Sequence, residues 1–371
     1  MIRENKVYAI VSVLIVFSLT ISLNGCRSKK PLPTDSDVTN ANSITVAERI
    51  ERIGISVPID SMRIDKDSAE ILRLLESKGY SVNLLYANSI EAQYSHISDL
   101  ISSGCDLLFV SPVNEYVLGN ALENAKVKNI PVIALDKMIL FSDAVDYYLA
   151  YDNAGNLHGD YLVKQLNLNT ASEAVNIEIF PGDLITGDAS FYNNLILTLE
   201  KYISSESVRI LSDQFSPDEM SVSETEYTAS KARMEKLIAA NNYFPGGTAL
   251  DAVLCKNDII AMGVIEALKA AGFTSENFPI VTGGACDPTN IKYIQEGYQS
   301  MSLFLDPAEL GKKAVELVDS ISNGKKLDSN NSIAVESHEI PAYLCEPIIC
   351  TNQNYQRLLL DSGYYDALDL Y

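Results

Sequence analysis

The chain has 371 residues, 47% of them hydrophobic, and its 28 basic against 49 acidic residues leave a net charge of -21. So acidic a surface repels polyphosphate and speaks against nucleic acid as a partner. The three histidines, His96, His158 and His338, are scattered without metal-ligand spacing. No nucleophile elbow, phosphate-binding loop or dinucleotide fingerprint occurs, so nothing in the sequence supports a metal, a cofactor or catalysis.

Taken in chain order, the first predicted element is an export signal over residues 1–25. Arg3 and Lys6 precede a weakly polar to apolar run from Val7 to about Leu23. The run ends in Leu23-Asn24-Gly25-Cys26, which resembles the bacterial lipobox, in which the Cys thiol accepts a diacylglycerol and becomes the new N-terminus. Lipidation at Cys26 would place the protein on the outer face of the cytoplasmic membrane. Two other readings stay open: an uncleaved membrane anchor, and a plain signal with a bystander Cys. Residues 26–50 carry Lys, Pro, Ser, Thr, Asp and Asn with little to bury, and read as a disordered tether.

From Arg52 onward, short β-rich runs alternate with amphipathic stretches. The pattern predicts strands at Ile53–Val57, Ser81–Tyr86, Asp106–Val110 and Pro131–Leu135, with helices over Asp67–Lys78, Ile90–Ser102 and Glu115–Lys128 between them. The second half repeats the theme. A helix begins near His158, strands lie at Asn176–Phe180, Val208–Leu211 and Asp251–Cys255, and helices run from about Phe191 to Ile203 and Thr225 to Ala240. Such alternation builds parallel sheets covered on both faces. A partial internal repeat sharpens this. Asp106–Val110, Asn114, a helix, Ile130–Ile133 and Asp136 parallel Asp251–Cys255, Asn257-Asp258, a helix and Pro279–Thr282. Both copies put polar residues just past strand carboxyl ends, where open α/β sheets bind ligands.

Six cysteines are present, and without Cys26 the remaining five are irregularly spaced, which is neither a disulfide framework nor a zinc signature. Cys105 and Cys255 lie in apolar strands and read as buried free thiols, while Cys345 and Cys350 are near enough in sequence for a pairing to stay open.

In its order of short motifs the chain resembles the type I solute-binding receptors for xylose and multiple sugars that serve ABC transporters. The resemblance runs from about Ile53 to the end. It is most specific in Pro347–Tyr355 and in Leu360-Asp361-Ser362-Gly363-Tyr364-Tyr365. Weaker matches are Arg63–Asp67, Ala134–Ile139, Tyr151-Asp152-Asn153, Asn257-Asp258, Val281-Thr282-Gly283 and Ile291–Ile294. It implies two doubly wound parallel-sheet lobes joined by a multi-crossing hinge, with 51–158 plus 284–305 forming one lobe and 159–283 plus 306–371 the other. It also implies a monomeric, cofactor-free and non-enzymatic receptor that delivers a small polar ligand, a monosaccharide such as xylose or another aldose, to an ABC permease. The alternative is a sensor that presents its closed state to a membrane kinase or chemoreceptor, with a ligand that need not be a sugar.

The positions matching the family's sugar contacts are Arg63 and Lys66 in the first βα loop, Lys137 after the fourth strand, Asn153, Asp188 and Asp258. Charged side chains of this kind make the strong, charge-assisted hydrogen bonds that hold adjacent hydroxyls. This chain departs from the pattern at four places. Lys137 replaces an Arg and loses its planar fork; Gly284-Ala285 stand where Gln-Asp would; Leu305 replaces a Lys; and Ile64 replaces the stacking Trp in a chain with no Trp at all. Asp287 could replace the lost acid if its loop shifts. Phe191, Tyr192, Tyr116 and Phe304 are either core residues or substitutes for the missing stacking surface.

Overall fold

The computed structural model describes residues 50–59, 62–152, 155–185, 189–335 and 338–370. Cys26, the expected export signal and most of the expected tether therefore lie outside the described residues, as do Asn153 and Asp188. The described chain divides into two compact units, one formed by residues 50–152 with 305–347 and the other by 155–304 with 348–370.

In the first unit β1 (Arg52–Pro58), α1 (Met62–Ser77), β2 (Ser81–Ala87), α2 (Ile90–Ser102), β3 (Leu107–Val110), α3 (Gly119–Val127), β4 (Val132–Leu135) and β5 (Tyr147–Tyr151) follow in order. The later segment adds α9 (Pro307–Ser322), β11 (Asn331–Val335) and β12 (His338–Cys345), labels following chain order. The seven strands run β11-β12-β5-β4-β3-β1-β2, all pairs parallel except the edge hairpin β11–β12.

Strand period two sorts the apolar side chains. Ile53, Ile55, Leu107, Phe109, Ile133 and Leu135 join a core with Ile71, Leu75, Leu310 and Val318, whereas Leu108, Val110, Val132 and Ala134 join one with Ile97, Leu100 and Leu122. Both faces are covered, so β3 and β4 are buried at every position. Helix α2 has the predicted bounds, and the Ser89 hydroxyl at its N-cap accepts the Ala92 amide at 3.1 Å. Helix α3 starts four residues later than its apolar spacing suggests. The Asn114 side chain accepts the Tyr116 amide in a local turn, and the Glu115 carbonyl accepts from Leu140, so these residues are drawn out of the helix.

In the second unit α4 (Gly155–Gln165), β6 (Val175–Phe180), α5 (Ser190–Ser204), β7 (Val208–Ile210), α6 (Tyr227–Asn241), β8 (Ala252–Cys255), α7 (Asp258–Ala270), β9 (Ile280–Val281), α8 (Pro288–Glu296) and β10 (Ser302–Phe304) are joined by the returning β13 (Ile348–Cys350). A parallel four-stranded sheet runs β7-β6-β8-β9, and β10 pairs antiparallel with β13. Alternation again divides the core: Phe180, Val253 and Cys255 pack with α6 and α7, and Ile177, Ile179, Ala252 and Leu254 with α5.

The unit boundaries correct the expected ones. Residues 284–304 stay in the second unit, because Met301 bridges Thr282 and Ser302–Phe304 pair with Cys350–Ile348. Residues 305–347 belong to the first, because α9 shares its core with α1 and Ala342–Cys345 pair with Tyr148–Tyr151. The chain therefore changes unit near 152, 304 and 347: the crossings expected near His158 and Asp306 fall at 152 and 304, and the one expected near Gly283 is replaced by one at 347. Cys345 and Cys350 are both free, as are Cys105 and Cys255.

Candidate functional site

In each unit, expected site residues lie in a polar cluster at the carboxyl ends of the strands. In the first unit Arg63 and Lys66 sit on the opening turns of α1, not in a loop before it. Helical spacing puts Asp67 one turn beyond Arg63. The guanidinium is held between two carboxylates: its Nη1 donates to Asp67 Oδ2 at 2.7 Å and its Nη2 to Asp136 Oδ2 at 2.7 Å. Asp136 comes directly after β4 and adopts a left-handed φ of 64°. The Tyr148 hydroxyl donates to its carbonyl at 2.8 Å. The Tyr151 hydroxyl, at the end of β5, donates to Asp67 Oδ1 at 2.9 Å.

Asp67 is wholly buried, and that burial pushes its pKa up to about 7 against the pull of Arg63. Burial also works against the Arg63 charge, but Asp136 and Asp67 together outweigh it and raise that pKa. A rigid, forked donor is thus fixed at a strand-end rim with 19% of its side chain exposed. The contact to Asp136 places Arg63 beside the turn that carries Lys137, which is exposed, and Lys66 is half-buried on the same helix. Ile64 points the other way, into the core shared by α1, α9 and the sheet, and presents no stacking face.

In the second unit Asp258 opens α7 after β8, where Asn257 caps the helix by accepting the Ile260 amide at 2.9 Å. Its carboxylate is the centre of a buried network. Oδ1 accepts from Gln299 Nε2 at 2.9 Å and from Ser302 Oγ at 2.9 Å; Oδ2 accepts from the Asp287 amide at 2.8 Å and from the same Ser302 hydroxyl at 2.8 Å. Burial raises its pKa to about 6, with these hydrogen bonds opposing. A Cβ at Gly283 would stand 2.1 Å from Asp258 Oδ1, so only glycine lets the strand approach the carboxylate.

Asp287 is committed locally: its side chain accepts the Thr289 amide and caps α8. Ala285, where the family pattern has an acid, holds a φ of 100°, and its amide donates to the Leu303 carbonyl at 2.9 Å. Of the aromatic residues, Phe191 and Phe304 are core, Phe304 standing edge-on to Tyr364 at 5.0 Å, while Tyr116 is exposed and Tyr192 half-buried. His158 is buried with Nδ1 2.8 Å from Thr282 Oγ1, and burial lowers its pKa to about 3, so it is neutral.

Asp67 and Tyr151 complete the Arg63 cluster without having been singled out from the sequence as site residues, and Asp136 is legible there only as a polar residue past a strand end. The i, i+4 spacing of Arg63 and Asp67 and the position of Asp136 directly after a strand are the signals that carry them. Among the described residues no three potential ligands gather to hold a metal ion, and no helix is long and apolar enough to cross a membrane.

Comparison with known proteins matches residues 60–326 to the periplasmic binding protein domain. The multiple sugar-binding periplasmic protein of Azospirillum brasilense is 32% identical over 329 residues, covering 86% of this chain and 91% of that protein. The D-xylose-binding periplasmic protein of Escherichia coli is 27% identical over 332 residues, covering 88% and 94%. Among solved structures, an ABC transporter solute-binding protein of Clostridium phytofermentans with bound β-D-glucose is 37% identical, covers 86% of this chain and 100% of its own, and superposes with a TM-score of 0.75.

Proposed function

The chain belongs to the periplasmic binding protein family, and on that premise we propose that it is an extracytoplasmic receptor that captures a monosaccharide and delivers it unchanged to an ABC importer. The observation that carries this reading is the Arg63 fork, fixed by two carboxylates beside the rim turn of Lys137. A preorganised guanidinium presents donors for adjacent hydroxyls without first losing side-chain freedom, and a charged donor makes each bond strong. The glucose bound by the Clostridium phytofermentans protein and the sugars named for the two curated relatives support an aldose as the ligand.

Arg63, Lys66, Lys137, Asn153, Asp188 and Asp258 are the proposed ligand contacts. Asp258 enters on different terms, because its oxygens already accept from three donors, the Ser302 hydroxyl being shared between them; it meets a ligand hydroxyl only by releasing Ser302 or Gln299. Lipidation at Cys26, which would hold the receptor on the membrane beside its permease, belongs to the same proposal.

A thermal-shift screen of the mature chain against pentoses, hexoses, disaccharides, polyols and nucleosides tests it. A ligand at a hundred times its Kd adds about 2.7 kcal/mol of stability. The expected result is a shift with an aldose, weakened in Arg63→Ala. A shift with non-carbohydrate ligands alone would refute the sugar reading.

A further inference from the structure

The described cysteines are not equivalent. Cys105, Cys255 and Cys345 lie in three separate apolar clusters, but Cys286 and Cys350 share a fourth, formed with Phe304, Leu359, Tyr364 and Tyr365, and both are fully buried. Two contacts, both through Ser302, bring the pair together. Cys350 on β13 stands directly across the ladder from Ser302 on β10. The Ser302 hydroxyl also accepts the Cys286 amide at 3.0 Å. Both are free thiols in the structure. Cys286 is further fixed by a left-handed φ of 53° and by the Tyr365 hydroxyl, which donates to its carbonyl at 3.0 Å.

We propose that Cys286 and Cys350 form a disulfide in the exported protein, stapling the C-terminal segment 348–371 to the loop that leads into α8. Cys286 and Cys350 share one buried cluster and one neighbour, Ser302, as a bond between their sulfurs requires, whereas Cys345, in the core of the first unit, offers Cys350 no such neighbour. The fold gives the link a purpose. Between these cysteines the chain leaves the second unit at 304 and returns at 348, and among the described residues the only strand of the returning segment is a three-residue ladder. So short a ladder holds weakly alone, and a cross-link closing so long an excursion restricts the unfolded chain strongly.

The chemistry balances by thiol–disulfide exchange. One Cys thiolate attacks a disulfide-bearing oxidant and expels one thiol; the second Cys displaces the other, leaving the Cys286–Cys350 bond, with two electrons and two protons passed to the oxidant. Burial pushes the Cys286 thiol well above its usual pKa, so the thiolate is scarce in the folded chain. Exchange therefore takes place during folding, before the cluster closes.

The full mature chain, refolded from denaturant in oxidised and reduced glutathione, then alkylated in denaturant and digested without reductant, tests this. Mass spectrometry is expected to find a linked peptide pair carrying Cys286 and Cys350, lighter by two hydrogens than the separate thiols, with Cys105, Cys255 and Cys345 alkylated. Adding reductant should lower the melting temperature by several degrees in the wild type and leave Cys350→Ala unchanged. Alkylation of both Cys286 and Cys350 after oxidative refolding, or a Cys345–Cys350 linked peptide, would overturn the proposal. The wild-type map decides the matter even where Cys350→Ala fails to fold.

Discussion

Arg63 shows how little one residue's identity says without its neighbours. Its charge is balanced by Asp67, buried on the same helix, and by Asp136, at the rim after β4. Removing it leaves Asp67 a buried carboxylate without its guanidinium. Arg63→Ala should therefore lower stability in urea unfolding by about 3 kcal/mol, the low end for breaking a buried pair. It should also weaken sugar binding by about 10- to 100-fold in calorimetry, the range for losing a charged hydrogen bond.

The buried acids predict a pH dependence. Asp67 and Asp258 titrate near 7 and 6 in the folded chain, above the ordinary 3.8, both because of burial. Each binds its proton more tightly when folded, so its stabilisation is fullest at low pH and falls as pH rises from about 4 through the folded pKa. The melting temperature of Asp67→Asn should accordingly fall less between pH 4 and 8 than that of the wild type. An identical slope would place the titration elsewhere. At this scale the sequence made Asp258 legible as a polar residue past a strand end, whereas Arg63 and Lys137 came from the family resemblance. It left Asp67 and Tyr151 unread because their importance is a matter of mutual distance, which only the fold supplies. It also hid that Asp258 is satisfied by Gln299 and Ser302, residues more than forty positions downstream.

Elements were the more legible level, for a physical reason. Strand period two and helical spacing are properties of contiguous sequence, so β1, β2, α2 and β6 fall within a residue or so of their predicted bounds. Where a side chain competes with the helix for backbone groups, as Asn114 does ahead of α3, periodicity misplaces the start. The β9–α8 junction makes an element-level prediction. Gly283→Ala would drive a Cβ into Asp258 Oδ1 and Gln299 Nε2. Both belong to a packed network with little room to yield, so a loss of about 1–3 kcal/mol is expected in denaturant titration. Gly246→Ala, where nothing lies within reach of a Cβ but φ is 85°, should cost less, about 1 kcal/mol from backbone strain alone.

At the scale of the whole molecule the topology was foreseen and its partition was not. Two parallel-sheet units follow from strand–helix alternation. Which unit takes 284–304 and which takes 305–347 is decided by pairings between distant segments, Ser302 with Cys350 and Ala342 with Tyr148, that no local pattern encodes. Family membership rests on the match over residues 60–326 and points to capture rather than chemistry. The same whole-chain view makes Cys26 testable: labelling with a fatty-acid probe in a bacterial host should mark the wild type and not Cys26→Ala, whereas equal labelling would exclude this attachment point. The central claim, that the protein is a receptor for a monosaccharide, is tested most directly by isothermal titration of the mature chain with a panel of aldoses that includes D-glucose and D-xylose, followed by analysis of the recovered ligand. Saturable binding of one aldose per chain, with the sugar recovered unchanged, is the predicted result; no heat with any monosaccharide, or a sugar recovered chemically altered, would contradict it.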